Sequence, residues 1–132
     1  MNPQKQFLQD LYEAFNNREI EKIISVMHPN VKWANAMQGG FVYGRDRVRD
    51  YWEKQFEVVQ PQLQALNFEV DEADRSVVTV HQIVRDLQGN LLLDDMVRQI
   101  FTIENGLISR FEIGDAEGHI WRLGDSKQNE RE

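Results

Sequence analysis

The residues able to do chemistry in this chain are few and dispersed. The three histidines, His28, His81 and His119, have no short ligand spacing between them, and there is no cysteine. Neither a thiolate nor a clustered imidazole metal site is therefore expected. No Gly-x-Ser-x-Gly marks a nucleophile. The run Gly39-Gly40-Phe41-Val42-Tyr43-Gly44 has neither the Lys-Ser/Thr of a phosphate loop nor a dinucleotide fingerprint, so it reads as a flexible rim. No cofactor is expected. What remains is a carboxylate among apolar residues. In the alternating stretch from Leu91 to Ile103, Asp95, Val97, Gln99 and Phe101 share one face, and Asp94, Met96, Arg98 and Ile100 the other. Burial of Asp95 would raise its pKa toward values useful for proton transfer. Amides such as Asn35, Gln82 and Gln99 suit carbonyls and hydroxyls.

The elements that must position these groups follow from periodicity. Asn2 and Pro3 start a helix whose Phe7, Leu8, Leu11 and Phe15 fall on one face, and Asn16-Asn17 ends it by tolerating a left-handed turn. Ile20, Ile23, Ile24 and Met27 predict a second helix, stopped by Pro29 acting on His28. Val31 to Asn35 reads as a strand and Met37 to Tyr43 as a loop. Asp46 reads as the cap of a third helix with Val48, Tyr51, Trp52, Phe56 and Val59 on one side, ended by Gln60-Pro61. The period then becomes two. Strands are expected at Leu66 to Val70, Val77 to Val84, Leu91 to Ile103 and Leu107 to Asp115. Turn residues at Glu72-Ala73-Asp74, Gln88-Gly89-Asn90 and Asn105-Gly106 imply antiparallel hairpins. Helices followed by hairpin-linked strands is an α+β pattern, with the helices on the concave side of a curling sheet. Residues 1–115 form one expected domain. Residues 116–132 form a partly ordered extension, polar except for Ile120, Trp121 and Leu123, that docks through Trp121.

Length and charge bound the function classes. A chain of 132 residues suits one domain with a real core. A net charge of −7 and a pI of about 5.0 argue against nucleic acid or an anionic membrane as partner. No stretch reaches the roughly 18 apolar residues of a membrane span. The N-terminus lacks the apolar core of a signal peptide, so a cytoplasmic location is expected.

Taken in order, Tyr12-Glu13-Ala14-Phe15-Asn16, Ile20 to Met27, His28-Pro29-Asn30-Val31-Lys32-Trp33, Gly44-Arg45 before Val48 and Tyr51-Trp52, then Asn105-Gly106-Leu107-Ile108 and Gly114-Asp115 resemble the nuclear transport factor 2-like superfamily. That superfamily has the cone-shaped α+β fold of ketosteroid isomerase and the SnoaL-like polyketide cyclases. The resemblance covers most of residues 7 to 115 and implies a fold that hosts many activities. It places Leu11 where the isomerase has its oxyanion tyrosine, with Tyr12 one residue off and facing elsewhere. It places Asn35 at the base, Gln99 at the second oxyanion donor and Trp52 at the supporting tyrosine. Leu11 cannot donate and Asn35 is no base at neutral pH, so isomerase-type proton transfer is disfavoured.

The resemblance puts Gln99 inside, and with it Asp95, Val97 and Phe101. A tight Gln88-Gly89 turn pairs Gln82 with Asp95, Val80 with Val97 and Val78 with Gln99; a slip of one would bring His81 inside. A three-residue Glu104-Asn105-Gly106 loop pairs Val97 with Ile113, Gln99 with Phe111 and Arg98 with Glu112. A two-residue Asn-Gly turn would put Glu112 inside. The implied pocket holds Leu11, Phe15, Met27, Trp33, Asn35 and Tyr51. Trp52, Gln82, Asp95, Val97, Gln99, Phe111 and Ile113 complete it, with Asp115 near the mouth. Asp95 is its candidate acid or base, and it suits an apolar, oxygenated small molecule.

Blander readings stand beside these. Asp95 can sit in water at the sheet rim, the aromatic stripe can be plain core, and Trp33 can simply pack under the first helix. His28 is then a helix-terminal residue and His81 a sheet-face one. Three functions compete: a small isomerase, cyclase, dehydratase or hydrolase; a ligand-binding module; and an interaction module. The resemblance implies a homodimer through the outer sheet face at Met96, Arg98 and Ile100.

Overall fold

The computed structural model describes residues 3–35 and 39–114. Helices α1 (Pro3–Asn16) and α2 (Ile20–Ser25) lead into strands β1 (Met27–Ala34) and β2 (Phe41–Tyr43) and helix α3 (Arg45–Val58). Strands β3 (Val59–Val70), β4 (Ser76–Asp86), β5 (Leu91–Glu104) and β6 (Leu107–Gly114) follow. They form one sheet in the order β2-β1-β6-β5-β4-β3. All neighbours are antiparallel except β1 and β6, which run parallel. This is the expected α+β architecture, and the helices pack on one face of the sheet. No helix among the described residues is long and apolar enough to cross a membrane. Asn2, Asp115, His119 and the 116–132 extension with Trp121 lie outside the described residues.

The helices form where apolar spacing demands it. Leu8, Leu11, Ala14 and Phe15 of α1, with Tyr12 beside them, are buried. They meet Ile23, Ile24, Val31, Trp33, Val78, Val80, Val97 and Phe101 in one core. The left-handed turn after α1 falls on Arg18, φ 60°, rather than on the asparagines. Arg18 is held there by its guanidinium, which donates to the carbonyls of Phe15, Asn16 and Pro61. Asn16 serves a different purpose. Its amide donates to Leu63 O and its carbonyl accepts from Leu63 N, completing the unpaired edge of β3.

Four local assignments differ from expectation. The second helix ends at Ser25, and Met27 opens β1 instead, because it pairs with Ile108 of β6 and is buried there. A buried methionine satisfies a helix stripe or a strand equally well. The loop before α3 contains β2, antiparallel to Lys32–Ala34, with the Lys32 ammonium 4.3 Å from the Phe41 ring centre. Gly44, φ 92°, sits at the N-cap of α3, and Asp46 lies within its first turn. Pro61 falls inside β3, which begins at Val59; an edge strand tolerates the missing N–H.

The register of β4 on β5 is the one expected: Gln82 opposite Asp95, Val80 opposite Val97, Val78 opposite Gln99. The register of β5 on β6 is not. Gln99 lies opposite Ile113, Phe101 opposite Phe111 and Ile100 opposite Glu112. The turn is a two-residue Asn105-Gly106 turn, both residues at positive φ. A bulge between Thr102 and Ile103 then restores the faces, so Glu112 stays on the outer side. Arg75 and Arg110, rather than Arg98, are its ion-pair partners, at 3.4 and 3.2 Å.

Candidate functional site

A cavity of about 170 Å³ lies between the helices and the concave face of the sheet. Its floor is aromatic. Trp33 of β1 stacks on Phe111 of β6 with ring centres 4.1 Å apart, because parallel pairing sets these residues side by side. Phe15 of α1 meets the Trp52 ring edge-on at 4.9 Å, closing the roof. Tyr51 and Gln55 join Trp52 from α3 at helical spacing. Val59, Pro61 and Leu63 of β3 form one wall, and Gln82 and Val84 of β4 continue it. Leu93, Gln99 and Phe101 from β5 and Ile113 from β6 complete the lining, with Ala34.

The polar groups in this lining are amides, two indoles and a phenol. Gln99 is buried, and its Oε1 accepts a 2.7 Å hydrogen bond from the Tyr12 hydroxyl. Tyr12 therefore does not face elsewhere. A side chain one position beyond Leu11 still reaches β5, where Tyr12 also packs edge-on to Phe101 at 6.2 Å. With its carbonyl oxygen engaged by Tyr12, Gln99 retains its amide N–H groups as donors, and the residue lines the cavity. Burial pushes the Tyr12 hydroxyl well above the usual tyrosine range, so it is a neutral donor. The Trp52 indole N–H is buried and has no hydrogen-bond partner among the described residues. Hydrogen-bond donors, Gln99 and Trp52 among them, thus line a mostly apolar space. No carboxylate or imidazole among the described residues lines it.

Of the residues expected from the sequence, Trp33, Trp52, Gln82, Gln99, Phe111 and Ile113 line the cavity, as do Phe15 and Tyr51. Leu11, Met27 and Val97 are fully packed core instead. Val97 shares the face of Gln99, yet it is fully buried in the core cluster and borders no cavity space. Asn35 is outside the lining; its backbone closes the turn to Gly39 and Gly40. Asp95 lies opposite Gln82 but is also outside the lining, half-buried, with Oδ1 accepting from the Met96 N–H. Leu63, Val84 and Leu93 extend the cavity further along the hairpin strands than expected. Alternation from Gln82 and Asp95 could have found Val84 and Leu93. Pro61 and Leu63 were hidden by the assumption that the proline preceded the strand.

The outer sheet face is more varied. His81 Nε2 sits 2.7 Å from Asp94 Oδ1. Ile100, expected at an interface, is already buried within the protomer, whereas Met96 is exposed. The Arg98 Nε is buried without a hydrogen-bond partner among the described residues. Among those residues no cluster of histidines and carboxylates could hold a metal ion.

A family model described as a SnoaL-like domain matches residues 8–111. No curated protein matches the chain significantly. Among solved structures, an NTF2-like protein of unknown function from Burkholderia pseudomallei is similar with a TM-score of 0.75 and 21% identity, over 96% of this chain and 97% of that one. TerC, co-crystallised with polyporic acid, gives 0.73 and 22% over 96% and 97%. A candidate polyketide cyclase from Pseudomonas putida gives 0.72 and 17% over 90% and 91%. Likeness at these identities establishes the fold and leaves the chemistry to the site.

Proposed function

The chain belongs to the SnoaL-like domain family, and on that premise we propose that its cavity binds a ring-sized, largely apolar molecule through a carbonyl or similarly accepting oxygen. The observation that carries this reading is the Tyr12–Gln99 hydrogen bond, 2.7 Å long and buried. It fixes the amide so that its donors, not its acceptor, remain for a ligand. The Trp52 indole, without a partner among the described residues, adds a second donor, and an unpaired buried donor is costly enough to favour a ligand that supplies an acceptor. The volume of about 170 Å³ sets the size: a cavity of roughly 150 Å³ already holds benzene. TerC, a protein of the same fold, was co-crystallised with an organic acid, which supports a small-molecule site here.

Donors that meet an oxygen would also stabilise negative charge developing on it. Among the described residues the lining has no carboxylate or imidazole to act as a base, and binding is the reading their geometry supports best. Proton transfer by Asp95 is the second reading, supported by its place opposite Gln82, which does line the cavity. A homodimer through the outer face is supported by exposed Met96 and by the Arg98 Nε near it, which has no partner among the described residues. Sedimentation of Met96→Glu, expected to be monomeric where the native chain is dimeric, tests that reading.

The ligand reading is tested by titrating acetophenone and ethylbenzene, which differ in one acceptor oxygen, while following tryptophan fluorescence. Acetophenone is expected to bind about fivefold tighter, the effect of one net hydrogen bond. Gln99→Leu and Trp52→Phe should each shrink that preference. Equal binding of the two compounds, or none, overturns the reading.

A further inference from the structure

The cavity is closed at one end and exposed at the other. Trp33, Gln99, Phe101 and Phe111 are buried, whereas Leu93 is the one exposed residue in the described lining, at 41%. Beyond Leu93 the apolar surface continues. Leu91 and Leu92 are 53% and 56% exposed, Leu87 across the hairpin turn 51%, and Val58, adjoining the lining residue Val59, 57%. Strand pairing gathers these residues at one place: Val84 opposes Leu93, Arg85 opposes Leu91, and Val59 opposes Asp86 just before Leu87. A bulge between Val84 and Arg85 lets three successive leucines occupy the end of β5. Clustered exposed aliphatics at a cavity end mark an interaction surface.

From this continuity, and resting on the cavity reading above, we propose that the ligand is an alkyl-substituted ring: its oxygen lies at the Gln99–Trp52 end, and its aliphatic chain leaves past Leu93 onto Leu91, Leu92, Leu87 and Val58. The enclosed volume holds about one ring, so a chain on that ring has to pass a wall. Every described wall residue except Leu93 is buried or half-buried. A substituent opposite the oxygen on a six-membered ring points away from Gln99, toward that end. Asp94 and Asp95 adjoin the three leucines in sequence, and a second copy seated on the patch would bring its own carboxylates near them, so a second copy is the weaker occupant.

The test is a titration series on the full chain with acetophenone, 4'-ethylacetophenone, 4'-butylacetophenone and 4'-hexylacetophenone, read as Kd. Each methylene reaching the patch should tighten binding by about twofold to fourfold, the range for partial to full burial of a CH2 group. The Leu91→Asn/Leu92→Asn variant, altered only at exposed positions, should flatten that series and bind acetophenone as the native chain does. A flat series in the native chain, with acetophenone still bound, overturns the alkyl proposal and leaves the cavity reading standing. A series unchanged in the variant sends the chain elsewhere and overturns it too. A series that steepens only after Trp121→Ala assigns the patch to the C-terminal segment and overturns it likewise. Failure of all four ketones to bind removes the cavity reading itself.

Discussion

The Tyr12 hydroxyl donates to Gln99 Oε1 across 87 residues of sequence and 2.7 Å of space. This contact ties α1 to the middle of β5 and orients an amide that lines the cavity. Tyr12→Phe removes the donor and leaves a buried amide oxygen unpaired, at a cost of about 1–3 kcal/mol. The urea midpoint should fall accordingly, and acetophenone should bind more weakly because the Gln99 amide is free to flip.

The same tyrosine predicts an alkaline response. Its folded pKa is raised by burial above the unfolded value, so its contribution is fully present below about pH 10. Above that, the unfolded chain loses a proton that the folded chain keeps, and stability declines as pH rises. Urea unfolding of the native chain and Tyr12→Phe between pH 8 and 11 should show the gap between them narrowing above about pH 10.

At the other end of β4, the side chain and backbone N–H of Asn90, with the N–H groups of Gln88 and Gly89, hold the Asp86 carboxyl below the usual carboxylate range. That contribution is present above the unfolded pKa near 4 and is lost as pH falls through the lower folded value. Asp86→Asn should lose less stability than the native chain on acidification below about pH 4. Acid titration followed by circular dichroism checks it.

Glu112 is buried on the outer face between Arg75 and Arg110, whose side chains are partly exposed. Removing one partner of a fully buried ion pair costs roughly 3–5 kcal/mol. Solvent around the two arginines lowers the expectation for Glu112→Ala to about 2 kcal/mol. A smaller loss for Glu112→Gln, which keeps hydrogen-bonding capacity, would separate charge from packing in the urea midpoints.

Asp95→Asn should leave acetophenone affinity and thermal stability within experimental scatter, because the carboxylate lies outside the lining and accepts only a neighbouring N–H among the described residues. Once a substrate is found, loss of turnover in this variant would establish the proton-transfer reading.

Much of the site was legible for a simple reason. Alternation along β4 and β5 puts Gln82 and Gln99 on one face whatever the rest of the molecule does, and the 3.6-residue period does the same for Phe15 and Trp52. What alternation does not carry is depth. Val97 and Gln99 face the same way, yet one is fully buried in the core and the other borders a cavity. Asp95, two residues further along, is outside both.

By itself, the sequence determined the order and type of the main elements, the β4–β5 register and the superfamily, because these rest on local periodicity, turn chemistry and matched apolar faces. Only the tertiary structure decided three things. Tyr12 rather than Leu11 meets the strand residue, because the angle of α1 over the sheet turns a helix position by 100° per residue. The β5–β6 register follows from a bulge at Thr102–Ile103 that no residue type announces. Pro61 and Leu63 wall the cavity because β3 is an edge strand, which tolerates a proline whose missing N–H goes unopposed.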